Sequence, residues 1–269
     1  MGTALLNGIV TSKGVREGPV KKYLACVRRE EVAGKLRDQF AQQKDLVEVF
    51  CNDNLRAIGG ATIVVLGIRP NEVNVVLGDS AVADALQGRI IISMIAGVSC
   101  SKIEEVLVAG SKERHNYRVS RVIPSIGAQI GQSVSFIASA KQDDAATSLV
   151  SWIFGKVGSV HPVAESLLDV YVAVSATCHA LAVTAVDALT DGSVSRGVPR
   201  AEALQIAARC LHSATSLLLE EMTLEELKDS MSVPKGITTE AWISLDAGHV
   251  RPAISQSVRH AVDYAARMA

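Results

Sequence analysis

The chain has 269 residues, enough for two domains with separate cores, and its 48% hydrophobic and 20% charged residues exclude a disordered chain. A formal net charge of −1 argues against a nucleic-acid or anionic-membrane surface, and the six histidines and five cysteines lack the spacing of a metal site. An odd number of isolated cysteines and the absence of a recognisable signal peptide predict a cytoplasmic protein.

Short β-branched runs alternate with helical segments in the first part of the chain. Strands are predicted at residues 22–27, 46–50, 61–68, 89–94 and 119–123, and helices at residues 4–12, 30–40, 71–87 and 101–108. This alternation predicts a parallel sheet with helices on both faces, that is, a Rossmann-like dinucleotide-binding domain over residues 1–155.

The pattern from residue 143 onward is almost entirely helical. Helices are predicted at residues 143–154, 163–189, 200–220, 224–229, 238–247 and 252–268. The glycine-containing stretch 155–161 separates the two patterns, so we expect an all-α second domain over residues 156–269.

The most apolar stretch of the chain lies in the second of these helices. Residues 171–189 are long enough to cross a bilayer, but they include His179 and Asp187. Charged and titratable side chains are costly inside a membrane, so a fully buried helix of a protein without membrane contact is favoured over a membrane span.

A turn precedes the helix predicted at residues 238–247. Pro234 and Gly236 break the chain there, and Thr238 and Thr239 follow at the start of the helix. Local spacing alone favours an ordinary threonine-capped helix. The alternative is a carboxylate site, because a helix N-terminus offers free N–H donors and partial positive charge.

Resemblance to a known family favours the carboxylate site. Residues 227–239 resemble the L-K-D-x-V-x-S-P-G-G-T-T loop of pyrroline-5-carboxylate reductases. Residues 65–70, 93–98 and 121–125 resemble the family's L-A-V-K-P, S-x-x-A-G-V and R-x-M-P-N segments, and residues 197–200 match its G-L-P-R turn. The motifs occur in the family order over nearly the whole chain.

The resemblance implies that the first domain binds NADPH, with NADH less suited because Arg28 and Arg29 would receive the ribose 2′-phosphate. Without the family context, these two arginines read equally well as a solvated helix start. The cofactor-binding residues that the resemblance implies are Met1, Gly2, Arg28, Arg29, Asn54, Gly67, Ile68, Arg69, Pro70, Ile95, Ala96, Gly97 and Pro124.

The start of the chain differs from the family pattern. Met1 and Gly2 match the last two members of a G-x-G-x-M-G fingerprint, whereas the first strand and the two leading glycines have no counterpart. Two explanations stay open: a start placed too far downstream, which we favour, or a shortened protein with impaired cofactor binding.

The resemblance also assigns roles in the second half. Thr238 would donate a hydrogen bond to the ring nitrogen of a cyclic imino acid, and the N–H groups of Gly236, Ile237 and Thr238 would hold its carboxylate. Lys235 replaces a family glycine in the same loop. Glu221 or Glu165 would stabilise the protonated imine. A solvated acidic face is the alternative for Glu221.

Several substitutions make the exact substrate less certain than its class. Val233 replaces a serine of the carboxylate site, and residues 174–181 lack the glycines, proline and tyrosine of the family's signature helix. Cys178 and His179 do not form a nucleophile–base pair, because adjacent helical residues point about 100° apart.

The leading hypothesis is an NADPH-dependent reductase of a cyclic imino acid, 1-pyrroline-5-carboxylate or a larger piperideine carboxylate. The resemblance implies a homodimer or a ring of dimers, with an active site shared across the interface. A non-catalytic dimerising relative is the alternative. A β-hydroxyacid dehydrogenase is disfavoured, because that class needs a lysine on the long interdomain helix and residues 163–189 contain none.

Overall fold

A computed structural model of the chain describes residues 1–12, 14–112, 117–139 and 144–268. The chain divides into two compact units, one formed by residues 1–172 with the last five residues and the other by residues 173–264. The predicted combination of an α/β unit with a helical unit is confirmed.

The first unit contains seven strands and eight helices, counted over the described residues, with the eighth helix continuing into the second unit. The strands are β1 (Tyr23–Val27), β2 (Val47–Cys51), β3 (Ile63–Leu66), β4 (Ile90–Ser93), β5 (Arg118–Pro124), β6 (Ser133–Ser139) and β7 (Gly158–Pro162). The helices are α1 (Gly2–Thr11), α2 (Glu30–Gln39), α3 (Asn54–Gly59), α4 (Val73–Leu77), α5 (Ser80–Ala85), α6 (Cys100–Gly110), α7 (Asp144–Gly155) and α8 (Glu165–Val194).

The strands form two sheets rather than the one parallel sheet that was predicted. β1 pairs only with β2, in parallel, and a five-stranded sheet has the order β3-β4-β5-β6-β7. The first three strands of the larger sheet are parallel, and β6 runs antiparallel to β5. Within the described residues, β1 and β3 each have one edge without a strand partner, so the β1 strand is only half-buried along its length.

Two apolar clusters cover the faces of the sheets. One joins α1, α2 and α7 to both sheets, and its fully buried members include Ile92, Val122 and Phe154. The other packs α4, α5 and α6 against β3, β4 and β5, around residues such as Leu77, Ile91 and Leu107. Strands with both faces covered are rich in Ile and Val, which explains why periodicity located them.

The helix predicted at residues 71–87 is broken. Gly78 ends α4, and the Asp79 side chain caps α5 by accepting from the N–H groups of Ala81 and Val82. A Cβ at Gly110 would lie about 3 Å from the backbone of Gly78, so α6 approaches the break more closely than a side chain permits.

Three elements were not predicted: α3, β6 and β7. β6 contains three serines, and β7 contains glycine, serine and proline, which weakens the strand signal of both. Since β7 pairs with β6, the sheet continues past the predicted boundary at residues 155–161, and the first compact unit extends to Val172. The predicted start of a helix at residue 143 lies outside the described residues.

The second unit is helical. It contains the rest of α8, then α9 (Arg200–Leu219), α10 (Leu224–Ser230), α11 (Ile237–Ala247) and most of α12 (Val250–Met268). These helices agree with the predicted ones to within a few residues.

The burial predicted for the long apolar helix is wrong for the single chain. In the described part of the chain, α8 is the one helix that is long and apolar enough to span a membrane, but only 11% of its most apolar window is buried. Leu181, Val183 and Leu189 are all exposed. The described residues of this chain therefore leave much of the apolar surface of α8 uncovered.

Candidate functional site

Most of the predicted cofactor residues of the first unit lie where parallel strands end. Arg28 and Arg29 follow β1, Asn54 follows β2, and residues 67–70 follow β3. Residues 94–99 follow β4, and Pro124 ends β5. Ligands of open α/β sheets bind at the carboxyl ends of the strands, so this edge is the candidate cofactor site.

Glu72 joins the ends of β1 and β3. Its carboxylate accepts from Arg28 Nη1 at 3.2 Å and from the backbone N–H of Arg69 at 3.1 Å. The sequence analysis did not identify Glu72, although its position three residues after Arg69 is that of a capping box. The pair with the exposed Arg28 is weak, because solvent screens it, so the guanidinium can exchange Glu72 for a phosphate.

Arg29 and Asn54 lie beside this pair on neighbouring segments. Arg29 is the N-terminal flanking residue of α2, is exposed, and has no ion-pair partner among the described residues. Asn54 opens α3, and its Oδ1 lies 3.2 Å from the Sγ of Cys26 on β1. Arg28 and Arg29 thus provide two cationic groups for a dianionic phosphate, which fits the 2′-phosphate of NADPH.

The backbone near the other predicted cofactor residues is open. A Cβ at Gly2 would meet nothing within 4 Å, so the first turn of α1, after the exposed Met1, can be approached closely. A Cβ at Gly67 would lie 3.7 Å from the terminal methyl group of Met94, which is an ordinary contact. Gly67 connects the end of β3 to Ile68 and Pro70. These features fit a dinucleotide lying along the strand ends.

The segment between β4 and α6 is held at both ends. Ser93 is fully buried, and its hydroxyl accepts from the N–H of Ile95 at 3.2 Å. Gly97 has φ +70°, a left-handed conformation that suits glycine, and Ala96 is exposed at the turn. At the other end, Ser99 caps α6 by accepting from the N–H of Lys102.

A buried arginine lies behind this segment. Arg121 is paired in register with Ser93, is 1% exposed, and donates from Nη2 to Asp169 Oδ1 at 2.9 Å. Its Nη1 lies 3.7 Å from Glu165 Oε1, and the same oxygen accepts from the N–H of Cys100 at 2.7 Å. Glu165 is therefore held by contacts within the first unit, and its predicted contact with substrate stays a prediction.

The buried position of Cys100 beside Glu165 determines whether its thiol can ionise. Burial and the neighbouring Glu165 carboxylate raise the pKa of the Cys100 thiol to about 12. A thiol that is protonated at neutral pH is neither a nucleophile nor a metal ligand. Among the described residues no group of three or more His, Cys, Asp and Glu side chains could hold a metal ion.

The candidate substrate loop of the second unit is a tight turn. The N–H of Gly236 donates to the carbonyl of Val233 at 2.8 Å, and Lys235 has φ +58°, as in a type II turn with Pro234 at its second position. A Cβ at Gly236 would lie 2.8 Å from Val233, so only glycine fits. The Gly236 N–H, predicted as a carboxylate donor, is used by the turn.

Helix α11 starts immediately after the turn and has no side-chain cap. The N–H groups of Ile237 and Thr238 belong to its first turn and are free of intrahelical partners by position. Thr238 is half-buried. Lys228 of α10 lies over the ring of Trp242 of α11 at 5.4 Å from the centroid, which fixes the two helices on either side of the turn.

Glu221 occupies an unusual position after α9. The helix ends at Leu219, the N–H of Met222 donates to the carbonyl of Leu217, and Glu221 has φ +72°. This is the left-handed position that usually carries glycine after a helix. A glutamate that tolerates this strain is a candidate for a functional role, and its catalytic role stays a prediction.

Two family profiles match successive parts of the chain. The profile described as pyrroline-5-carboxylate reductase dimerisation matches residues 165–268. The profile described as NADP oxidoreductase coenzyme F420-dependent matches residues 1–97.

Individual proteins are similar over almost the whole chain. A pyrroline-5-carboxylate reductase of Lophium arboricola is 30% identical over 288 aligned residues, which cover 100% of this chain and 90% of the relative. One of Schizosaccharomyces pombe is 26% identical, covering 97% and 93%.

Solved structures have the same fold. The pyrroline-5-carboxylate reductase of Coxiella burnetii superposes with a TM-score of 0.82 at 20% identity, covering 99% of this chain and 95% of that one. The Plasmodium falciparum pyrroline carboxylate reductase with NADP bound gives 0.76 at 19% identity, covering 93% and 99%.

Proposed function

Because the chain belongs to the pyrroline-5-carboxylate reductase family, we propose that it reduces 1-pyrroline-5-carboxylate to L-proline with NADPH, a step of proline biosynthesis. The chain is an NAD(P)H-dependent oxidoreductase that acts on a C=N bond. The observation that carries the choice of substrate is the uncapped start of α11, with Thr238 in its first turn, directly after the turn at residues 233–236.

The cofactor residues bind and orient NADPH. Arg28 and Arg29 would hold the 2′-phosphate, and the backbone of Ile95, Ala96 and Gly97 would line the nicotinamide ring, since the Ile95 side chain is buried in the core. NADPH, when bound, supplies a hydride to the carbon of the substrate C=N bond, and a proton is added to its nitrogen. The remaining cofactor contacts, from Asn54, Gly67, Arg69 and Pro124, set the position of the ring relative to that carbon.

The substrate residues recognise a small anionic ring. The N–H groups of Ile237 and Thr238 bind the carboxylate at the positive end of α11. The Thr238 hydroxyl hydrogen-bonds the ring nitrogen, and the Glu221 carboxylate stabilises the positive charge that this nitrogen carries when protonated. Lys235 adds a cation beside the carboxylate.

A ring larger than pyrroline is the second candidate substrate within this class. Val233 cannot supply the hydroxyl of the serine that it replaces, and the Gly236 N–H is bonded within the turn. The carboxylate therefore has fewer donors, and a piperideine carboxylate, with more apolar ring surface to bury beside Val233, fits this change.

The proposed assembly is a homodimer or a ring of dimers in the cytoplasm, with an active site shared across the interface. The presence of the family dimerisation region supports self-association. The exposed apolar surface of α8 fits a second copy of the chain better than a membrane, because this region also carries Asp187 and Asp191. No nucleic-acid partner is proposed, given the near-zero net charge.

The direct test is NADPH oxidation with pyrroline-5-carboxylate and with piperideine carboxylate, on this chain and on a version extended upstream by one strand.

We expect Thr238→Ala to lower kcat/KM at least tenfold, since a hydrogen bond to a charged group contributes about 1.5–3 kcal/mol. Thr239→Ala is the matched control and should retain activity. Equal loss in both variants would contradict the role of Thr238.

A non-catalytic relative is the alternative function. It is favoured by Val233, which removes a donor from the substrate loop, and by the rewritten helix at residues 174–181. It predicts that neither version of the chain oxidises NADPH with either imine and that NADPH binding is lost. NADPH binding without turnover would point instead to a different imine as substrate.

A further inference from the structure

We propose that Glu165 is a positioning residue, which acts through Cys100 and Arg121 to hold the nicotinamide-binding segment between β4 and α6 in place. The inference rests on the proposed function in one respect, the assignment of the nicotinamide ring to residues 95–97.

The first argument is the position of the carboxylate. Glu165 opens α8, 65 residues after Cys100 in sequence, yet its Oε1 accepts from the Cys100 backbone N–H at 2.7 Å. Cys100 is the first residue of α6, so this N–H is one of the donors that a helix leaves unpaired. A carboxylate at this point also interacts favourably with the positive end of the helix.

The second argument is the fully buried cation behind the segment. Arg121 requires anionic partners because a buried charge without them is costly, and it has Asp169 at 2.9 Å and Glu165 at 3.7 Å. Among the described residues, these two carboxylates are the ion-pair partners of the Arg121 guanidinium, through Nη1 and Nη2. The third nitrogen, Nε, is buried without a hydrogen-bond partner. Glu165 therefore has one partner in the sheet and one in the segment.

The third argument is that the two anchors enclose the segment. Ser93 is paired in register with Arg121 of the neighbouring strand, and its hydroxyl accepts from the N–H of Ile95 at the start of the segment. The Glu165 carboxylate accepts from the N–H of Cys100 at the end of the segment. Among the described residues, Asp169 pairs with Arg121 and makes no hydrogen bond or ion pair with the segment. Glu165 and Asp169 are therefore a matched pair: both stabilise the buried cation, and only Glu165 also fixes the segment.

The test compares two ligands on the full chain. NADPH and 2′-phospho-ADP-ribose share the adenosine 2′-phosphate, but the second lacks the nicotinamide ring. Glu165→Ala should raise the ratio of the Kd for NADPH to the Kd for 2′-phospho-ADP-ribose about tenfold, the size expected from one lost charge-assisted hydrogen bond. Glu165→Gln, whose amide oxygen still accepts from Cys100, should raise the ratio less.

Asp169→Asn should lower the melting temperature while leaving the ratio within about twofold of its original value, because it weakens the pairing of Arg121 only. Glu105→Gln, in an exposed pair with Lys102 on the same helix α6, should change neither quantity. Equal weakening of both ligands in Glu165→Ala, or an equal shift of the ratio in Asp169→Asn, would reduce Glu165 to a general stabilising residue and overturn the proposal.

Binding of both ligands is measured without an imine. The experiment therefore tests the positioning role of Glu165 independently of the proposed substrate. A shifted ratio in a protein that reduces neither imine supports the positioning role and contradicts the substrate. An unshifted ratio in a protein that does reduce pyrroline-5-carboxylate overturns the positioning role alone. Failure of the unmodified chain to bind NADPH would also overturn it.

Discussion

At the scale of the residue, two candidate substrate residues adopt backbone conformations that glycine prefers. Glu221, after the end of α9, and Lys235, in the turn before α11, have φ of +72° and +58°. A left-handed conformation costs an L-residue roughly 1–2 kcal/mol. Replacing either residue by glycine removes the backbone strain and the side chain together. The effect on stability and the effect on activity should therefore have opposite signs.

We expect Glu221→Gly to stabilise the protein by up to about 1 kcal/mol and to lower turnover of pyrroline-5-carboxylate at least tenfold. The gain arises because glycine adopts φ +72° without strain, and the loss arises because the protonated imine is left without a carboxylate. Urea denaturation and steady-state kinetics measure the two effects.

Glu225→Gly, in the first turn of α10, is the matched control for that experiment. There the backbone is helical, so glycine should destabilise by about 1 kcal/mol and leave turnover unchanged. If Glu221→Gly turns over as fast as the unmodified protein, its carboxylate has no part in the reaction.

At the scale of the element, helix α10 depends on a capping box. The Thr223 hydroxyl accepts from the N–H of Glu226 at 3.2 Å, and the Glu226 carboxylate accepts from the N–H of Thr223 at 2.8 Å. The hydrogen bonds from Thr223 hold the pKa of Glu226 below its ordinary value of 4.5. The box therefore fixes where α10 starts, and with it the position of Lys228.

Thr223→Ala should destabilise the protein by about 1 kcal/mol at neutral pH. Because the pKa of Glu226 is lowered in the folded state, the stability that it contributes is present above its unfolded pKa and is lost as the pH falls through the folded one. The difference between Thr223→Ala and the unmodified protein should therefore shrink in acid. Thermal unfolding at several pH values measures it.

Thr215→Ala is the control, because the Thr215 hydroxyl bonds to carbonyls inside α9 and caps nothing. We expect no loss of stability and no dependence on pH from that change. A pH-independent cost of Thr223→Ala would show that the Thr223 hydroxyl, which donates to the Glu226 carboxylate at 3.0 Å, does not act through the charge of Glu226.

At the scale of the whole molecule, the two units differ in how much apolar surface they cover for themselves. The first unit has large buried clusters on its sheets, whereas α8 and α9 in the second expose Val183, Leu189, Leu204 and Ile206. Exposed apolar side chains of this size favour an interface. We therefore expect the proposed assembly to cover them.

Val183→Glu should convert a self-associated protein to monomers, because a charge would be buried in the interface without a partner. Sedimentation velocity measures the change. Val75→Glu is the matched control, since Val75 of α4 is 77% exposed and Val183 is 71% exposed, but Val75 lies in the first unit. An unchanged sedimentation coefficient for Val183→Glu would place the interface elsewhere.

The sequence by itself determined the fold class, most of the helices and the residues at the strand ends. Alternating β-branched runs located β1 to β5, because strands covered on both faces must be apolar, and 3.6-residue periodicity located the helices of the second unit. Motifs in family order also indicated the loop at residues 227–239, since glycine and proline constrain the backbone locally.

The tertiary structure alone decided which distant groups meet. The sequence predicted that Glu165 contacts the substrate. The folded chain places its carboxylate beside Cys100 and the buried Arg121. The same holds for Glu72 and Arg28, which are 44 residues apart, and for β6 and β7, whose weak strand signals are completed by pairing in the sheet. Such contacts depend on long-range packing, which local propensity does not encode.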